Sequence, residues 1–185
     1  MKRKRLASRY LGAAVVAIIM GMAGLYAVIV YDELDDEPLS LISCIEVEAK
    51  WLAWTCKQVL LHASLSPDHV RELNDSGGAS YPVSMQDAND AEDILGLFLS
   101  RGVDINAADK RANDWTALHS AAMNSAPDRV AMLLRYGART DVRDKHGSTP
   151  LDVARRALQR FPGDPRLPEN IRLLEAAERN SPASR

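Results

Sequence analysis

Thr116-Ala117-Leu118-His119-Ser120-Ala121-Ala122 is the stretch on which the fold turns, because its opening returns 33 residues later as Thr149-Pro150-Leu151-Asp152. Arg101-Gly102-Val103-Asp104 likewise returns as Tyr136-Gly137-Ala138-Arg139 at an offset of 35, and Phe98-Leu99 lines up with Leu133-Leu134 at the same offset. A self-similarity of this length marks stacked supersecondary units. Carried back by 35 from Thr116, the register lands on Tyr81-Pro82-Val83-Ser84, preceded by Gly77 and Gly78, a degenerate copy in phase.

The residue types fit that role. Gly137 and Gly147 fall where a helix end and a tight turn need positive φ, and Pro150 sits in a first helical turn, where its missing N–H costs nothing. Ala121, Ala122 and Ala154 are small enough for paired helices to approach closely. Leu118, Val130, Leu133 and Leu134 form the apolar stripe, and burying them contributes about 6–12 kcal/mol before conformational entropy is subtracted. One such unit cannot close its own core, so neighbours must stack.

The best copy runs Asp114-Trp115-Thr116-Ala117-Leu118-His119-Ser120-Ala121-Ala122, then Val130-Ala131-Met132-Leu133-Leu134-Arg135-Tyr136-Gly137-Ala138. The next opens Asp144-Lys145-His146-Gly147-Ser148-Thr149-Pro150-Leu151-Asp152-Val153-Ala154. On these residues the segment resembles ankyrin repeats. The resemblance implies an all-α, short solenoid of about three repeats with helical caps, whose turn tips and concave helix face bind proteins. It also implies that His119 is a structural hydrogen-bonding residue.

Two extra residues stand between Gly102 and Thr116 relative to the next repeat, so the loop over Arg111 to Asp114 should protrude, with Asn113 and Asp114 suited to left-handed backbone. Partner contacts are expected at the tips, from Arg111, Asn113, Asp114, Trp115, Lys145, His146 and Ser148. On the helices they are expected from Ser120, Met123, Asn124, Val153 and Arg156. Trp115 is expected to be exposed, an aromatic anchor. In the last repeat, Phe161 to Pro168 lengthens the loop, and a second helix over 170–179 ends polar, as a solvent-facing cap should. Ser66-Pro67-Asp68-His69-Val70 echoes Ala126-Pro127-Asp128-Arg129-Val130, each reading as a second helix opened by Pro.

Ahead of the repeats, residues 10–31 hold no charge, following Lys2, Arg3, Lys4, Arg5 and Arg9 and preceding Asp32, Glu33, Asp35, Asp36 and Glu37. A helix of that length spans about 33 Å, and the charge asymmetry would leave the N-terminus in the cytoplasm and the remainder exported. The expectation is a single transmembrane signal anchor in a bacterial inner membrane with a periplasmic C-terminal domain. Alternatives are a signal peptide cut near Gly21-Met22-Ala23 or a lipobox at Leu41-Ile42-Ser43-Cys44. The expected organisation is a basic segment 1–9, the span 10–31, an acidic linker 32–40, helical capping over 41–73, repeats over 74–180 and a tail 181–185.

Leu41, Ile45, Ala49, Leu52, Cys56, Val59 and Leu60 recur at helical spacing, although Ile45, Val47, Ala49 and Trp51 alternate as a strand would. Helix is preferred because the run exceeds ten residues without turn residues. Trp51 and Trp54 are expected to pack in the core or beside the membrane. Cys44 and Cys56 are a candidate disulfide in an oxidising compartment. One unbroken helix would hold them about 18 Å apart, so either the segment breaks near 49–54 or the thiols stay unpaired.

Beyond residue 10 the chain carries 18 basic against 25 acidic residues, which argues against a nucleic-acid-binding body. No metal-ligand spacing, phosphate loop or catalytic grouping involves His62, His69, His119 or His146. No cofactor, no metal and no enzyme activity are therefore expected. With the export segment, the resemblance to small bacterial ankyrin proteins implies a periplasm-facing protein-binding module, most specifically an immunity protein that neutralises a toxic secreted effector such as a phospholipase. The alternative is an envelope scaffold or assembly factor for a resident periplasmic enzyme.

Overall fold

The computed structural model describes residues 38–46, 50–62 and 65–180. Among them are nine helices: α1 (Pro38–Ile45), α2 (Lys50–His62), α3 (Pro67–Asp75), α4 (Ser80–Ser84), α5 (Ala88–Ser100), α6 (Ala117–Met123), α7 (Pro127–Arg135), α8 (Pro150–Arg160) and α9 (Leu167–Asn180). Eight of them form pairs, α1 with α2, α4 with α5, α6 with α7, and α8 with α9. The first members line up as one row, α1 against α4, α4 against α6, and α6 against α8. In the second row α2 meets α5 and α7 meets α9. This is an all-helical solenoid of stacked pairs.

Several starts and stops are written locally. Thr116 and Thr149 cap α6 and α8 through reciprocal boxes with His119 and Asp152, and Ser66 caps α3 the same way with His69. Asp87 caps α5 by accepting from the N–H groups of Asn89 and Asp90. Gly137, at φ +87°, lets the chain leave α7. Leu118, Val130 and Leu133 are buried, and Ala121, Ala122 and Ala154 are buried where α6 meets its neighbours. Phe98, Ile94 and Leu95 of α5 continue the same core toward Leu60 of α2.

The expected fold class placed one transmembrane helix ahead of the stack, and that part is corrected. Among the described residues no helix is long and apolar enough to cross a membrane. Residues 10–31, on which the expectation fell, lie outside the described residues, as do 32–37 and 181–185.

The segment from Leu41 to Leu60 divides into α1 and α2, and the division brings Cys44 and Cys56 together as a disulfide with Cα atoms 6.1 Å apart. These helices bury Leu41, Ile42, Ile45, Cys56 and Leu60, so they form a helix pair in register with the repeats. Trp51 and Trp54 are 69% and 65% exposed and so lie outside the core, the first of the two places expected of them. α3 does not join the second row. It stands at the turn end, where the Asn74 side-chain oxygen accepts from Asp104 N–H at 2.8 Å and Asp75 pairs with Lys110 at 2.6 Å. At the other end α9 begins at Leu167, earlier than expected, and Glu175 is tied to Arg155 of α8 at 2.8 Å.

Candidate protein-binding surface

Two turn hairpins project between helix pairs. In the first, Asp109 N–H donates to Trp115 O at 2.9 Å, and the chain turns through Asn113 and Asp114 at φ +60° and +55°. These are residue types that tolerate left-handed backbone, and the two-residue extension is accommodated there. In the second, Asp144 N–H donates to Ser148 O at 2.9 Å around Gly147, at φ +77°. Lys145 N–H joins the hairpins by donating to Asn113 O at 2.9 Å. The spacing is kept by asparagine: Asn106 Oδ1 accepts from Arg139 N–H at 2.8 Å, as Asn74 does from Asp104 one unit earlier.

The centre of the second hairpin is a buried carboxylate. Asp144 Oδ1 accepts from the N–H groups of His146 and Ser148, at 2.9 and 2.8 Å, and Oδ2 accepts from Trp115 Nε1–H at 3.2 Å. Burial alone would push this acid up, but those hydrogen bonds and the neighbouring His119 hold it below the usual carboxylate range. His119 lies beneath. Its Nδ1 accepts from Thr116 N–H at 3.2 Å, so Nε2 carries the proton and donates to Ser148 O at 3.1 Å. Desolvation holds this imidazole below its ordinary value, against the raising effects of the Ser148 carbonyl and Asp144. The structure thus gives His119 the role implied by the resemblance.

The expected contact residues divide accordingly. Arg111, Asn113, Lys145 and His146 are exposed at the tips. Asp114 is half-buried. Trp115 is not the exposed anchor expected: it is half-buried, bonded to Asp144 and stacked on His119 with ring centroids 6.4 Å apart. Ser148 is buried, its hydroxyl oxygen accepting from Arg156 Nη1 at 2.7 Å. Val153 is only 2% exposed and belongs to the core. Arg156 remains on the surface, 3.9 Å from Asp144. On α6, Asn124 is exposed and Ser120 and Met123 are half-buried.

Ser120 and Asn124 line a groove of about 270 Å³ between α4 and α6. Ser80, Val83 and Ser84 supply its other side, and Arg129 of α7 borders it. Arg129 has no counterpart among the contacts expected from sequence. Its Nη2 donates to Met85 O at 2.6 Å, a residue 44 positions away, so no local pattern could have announced it. Among the described residues no three His, Cys, Asp or Glu side chains are grouped to hold a metal ion.

With the repeats, hairpins and capping boxes in place, the class is a helical-repeat binding scaffold. Residues 84–160 match the family model for ankyrin repeats, in three copies, and this part of the chain is an ankyrin-repeat array. The chain is 36% identical over 85 residues to ankyrin repeat and SOCS box protein 6 of Mus musculus, covering 45% of this chain and 20% of that protein. It is 41% identical over 64 residues to ankyrin repeat and SOCS box protein 16 of Homo sapiens, covering 35% of this chain and 14% of the relative. A further match, 36% over 66 residues, is to the 2-5A-dependent ribonuclease of Homo sapiens, covering 36% of this chain and 9% of that enzyme. The chain thus spans a fifth or less of the length of these curated relatives.

Proposed function

We propose that the chain binds another protein through the groove between α4 and α6 together with the hairpin tips, without catalysis of its own. The observation carrying this reading is the groove itself, a concavity of mixed apolar and polar lining on a scaffold held from inside. Because capping boxes, buried hydrogen bonds and a common core fix the stack, a partner meets a preorganised surface and little ordering cost falls on binding. The ankyrin array argues for a protein partner.

The compartment we propose is the periplasmic side of a bacterial inner membrane, a reading that draws support from the Cys44–Cys56 bridge, since disulfides persist where the surroundings oxidise thiols. There the partner would be a toxic secreted effector, neutralised by occlusion. Two measurements test these statements. Alkylation of cells before and after reduction should show Cys44 and Cys56 protected until the reductant is added. Growth challenge with periplasm-directed effectors should show protection by the full chain and loss of protection by Ser120→Trp, which fills the groove. Protection by neither form rejects the neutralising role, and protection by both rejects the groove as its site.

A further inference from the structure

We propose that the groove receives an acidic side chain of the protein partner, whose carboxylate pairs with Arg129; this rests on the protein-binding reading above. A space of about 270 Å³ holds about nine waters at about 30 Å³ each, room for one or two inserted side chains and not for a helix. Its walls set Ser80 and Ser84 of α4 and Ser120 and Asn124 of α6 among apolar Val83, Met85, Ala121 and Ala126, so the stem of an inserted side chain meets apolar surface and its tip meets polar groups. Ser84 Oγ–H already donates to Tyr81 O at 2.7 Å, so donors for an anion come from the other groups.

The charge at the border decides which side chain is favoured. Eight arginines of the described residues (71, 111, 135, 139, 155, 156, 166 and 172) have a carboxylate partner within 4.0 Å. Arg129 is half-buried and has backbone carbonyls instead: Nη2 donates to Met85 O at 2.6 Å and to Gln86 O and Asp87 O at 3.4 Å each. Asp87 senses the Arg129 charge, yet its Oδ1 is committed to the start of α5. The carbonyls fix the guanidinium plane at the rim without neutralising it. A planar cation with further N–H groups is suited to a carboxylate.

The test uses the immobilised full chain and a random peptide library displayed on phage. Enriched peptides should contain Asp or Glu. A selected peptide, titrated by fluorescence anisotropy, should weaken at least tenfold when its acid becomes the amide, and equally on Arg129→Gln. Arg129→Lys, which keeps the charge, should retain part of the affinity, and Ser120→Trp should abolish binding, with circular dichroism confirming that each variant folds. Enrichment without acids, an acidic peptide indifferent to Arg129→Gln, or failure to select any peptide overturns the proposal. Peptides that bind Ser120→Trp unchanged overturn it while leaving protein binding through another surface standing.

Discussion

The two ends of this stack are closed by different means. Around α6 and α8, the contacts are short, buried and mostly hydrogen-bonded: Asp144 ties Trp115 to the second hairpin, His119 joins α6 to Ser148, and Asn170 of α9 donates to Ala122 O at 3.0 Å. Around α1 and α2, the pair is held by a covalent bridge, by apolar burial and by Lys57, which reaches Asp90 and Asp93 of α5 at 2.7 and 2.6 Å near the surface. Buried networks are strong when every member is satisfied and fail together when one is removed. A bridge with partly exposed ion pairs fails one element at a time, and the ion pairs contribute little each.

The largest effect that would break this contrast is expected at Asp144. Asp144→Ala leaves the N–H groups of His146 and Ser148 and the Trp115 indole without their charged acceptor, and should cost about 3–4 kcal/mol in urea unfolding. Asp109→Ala, in the preceding hairpin, should cost about 1 kcal/mol, because its carboxylate accepts from the loop N–H of Arg111, pairs with the exposed Arg111 guanidinium at 3.5 Å and lies a quarter exposed. Equal losses at the two sites would dissolve the distinction between a buried centre and an ordinary turn.

Next in size is the bridge. Cutting a link between residues 12 apart restores loop entropy of about 3 kcal/mol to the unfolded chain. The expected result of Cys44→Ser with Cys56→Ser is faster hydrogen exchange in α1, α2 and α5, with α8 and α9 unchanged. Loss of protection through all four pairs would mean that the bridge supports the whole column. Trp115→Ala follows, at about 2 kcal/mol, from the lost hydrogen bond to a charged acceptor and the lost stack on His119. A stability unchanged by that substitution, read in the same urea titration, would return Trp115 to the role of a free anchor.

The same contrast explains what could be read from the sequence. The repeats were legible because their information is local: Thr caps three residues ahead of His119 or Asp152, small alanines, and turn residues at fixed offsets. The α1–α2 pair was not, since no Gly or Pro marks the break after Ile45 and the alternation from Ile45 to Trp51 blurs the helical period. Exposure of the candidate contacts is legible at the tips, Arg111, Asn113, Lys145 and His146, where it follows from the hairpin itself. It is not legible wherever burial is set by a distant partner. Trp115 is held by Asp144, 29 residues on, Ser148 is covered by His119, and Val153 turns its face to the core. For Trp51 and Trp54, hydrophobicity says nothing of which face of α2 meets the stack.

Acid offers the gentlest way to sharpen the comparison. His119 is held below its ordinary value by burial, whereas the unfolded imidazole titrates near its reference of about 6.5. As pH falls through that value the unfolded chain takes up a proton that the folded chain refuses, so the contribution of His119 is fully present above about pH 6.5 and is lost progressively below it. The slope from one such group is at most about 1.4 kcal/mol per pH unit. Asp144, also held low, adds its own loss only below the ordinary carboxylate range, near 3.8, so it leaves the window between pH 7.5 and 5.5 to histidine. Urea midpoints at those two pH values should therefore fall for the native chain and much less for His119→Gln. Hydrogen exchange at pH 5.5 should place the weakening in α6 and α8. An equal loss of protection in α1 and α2 would show that acid acts on the stack as a whole, and that its two ends are not separately held.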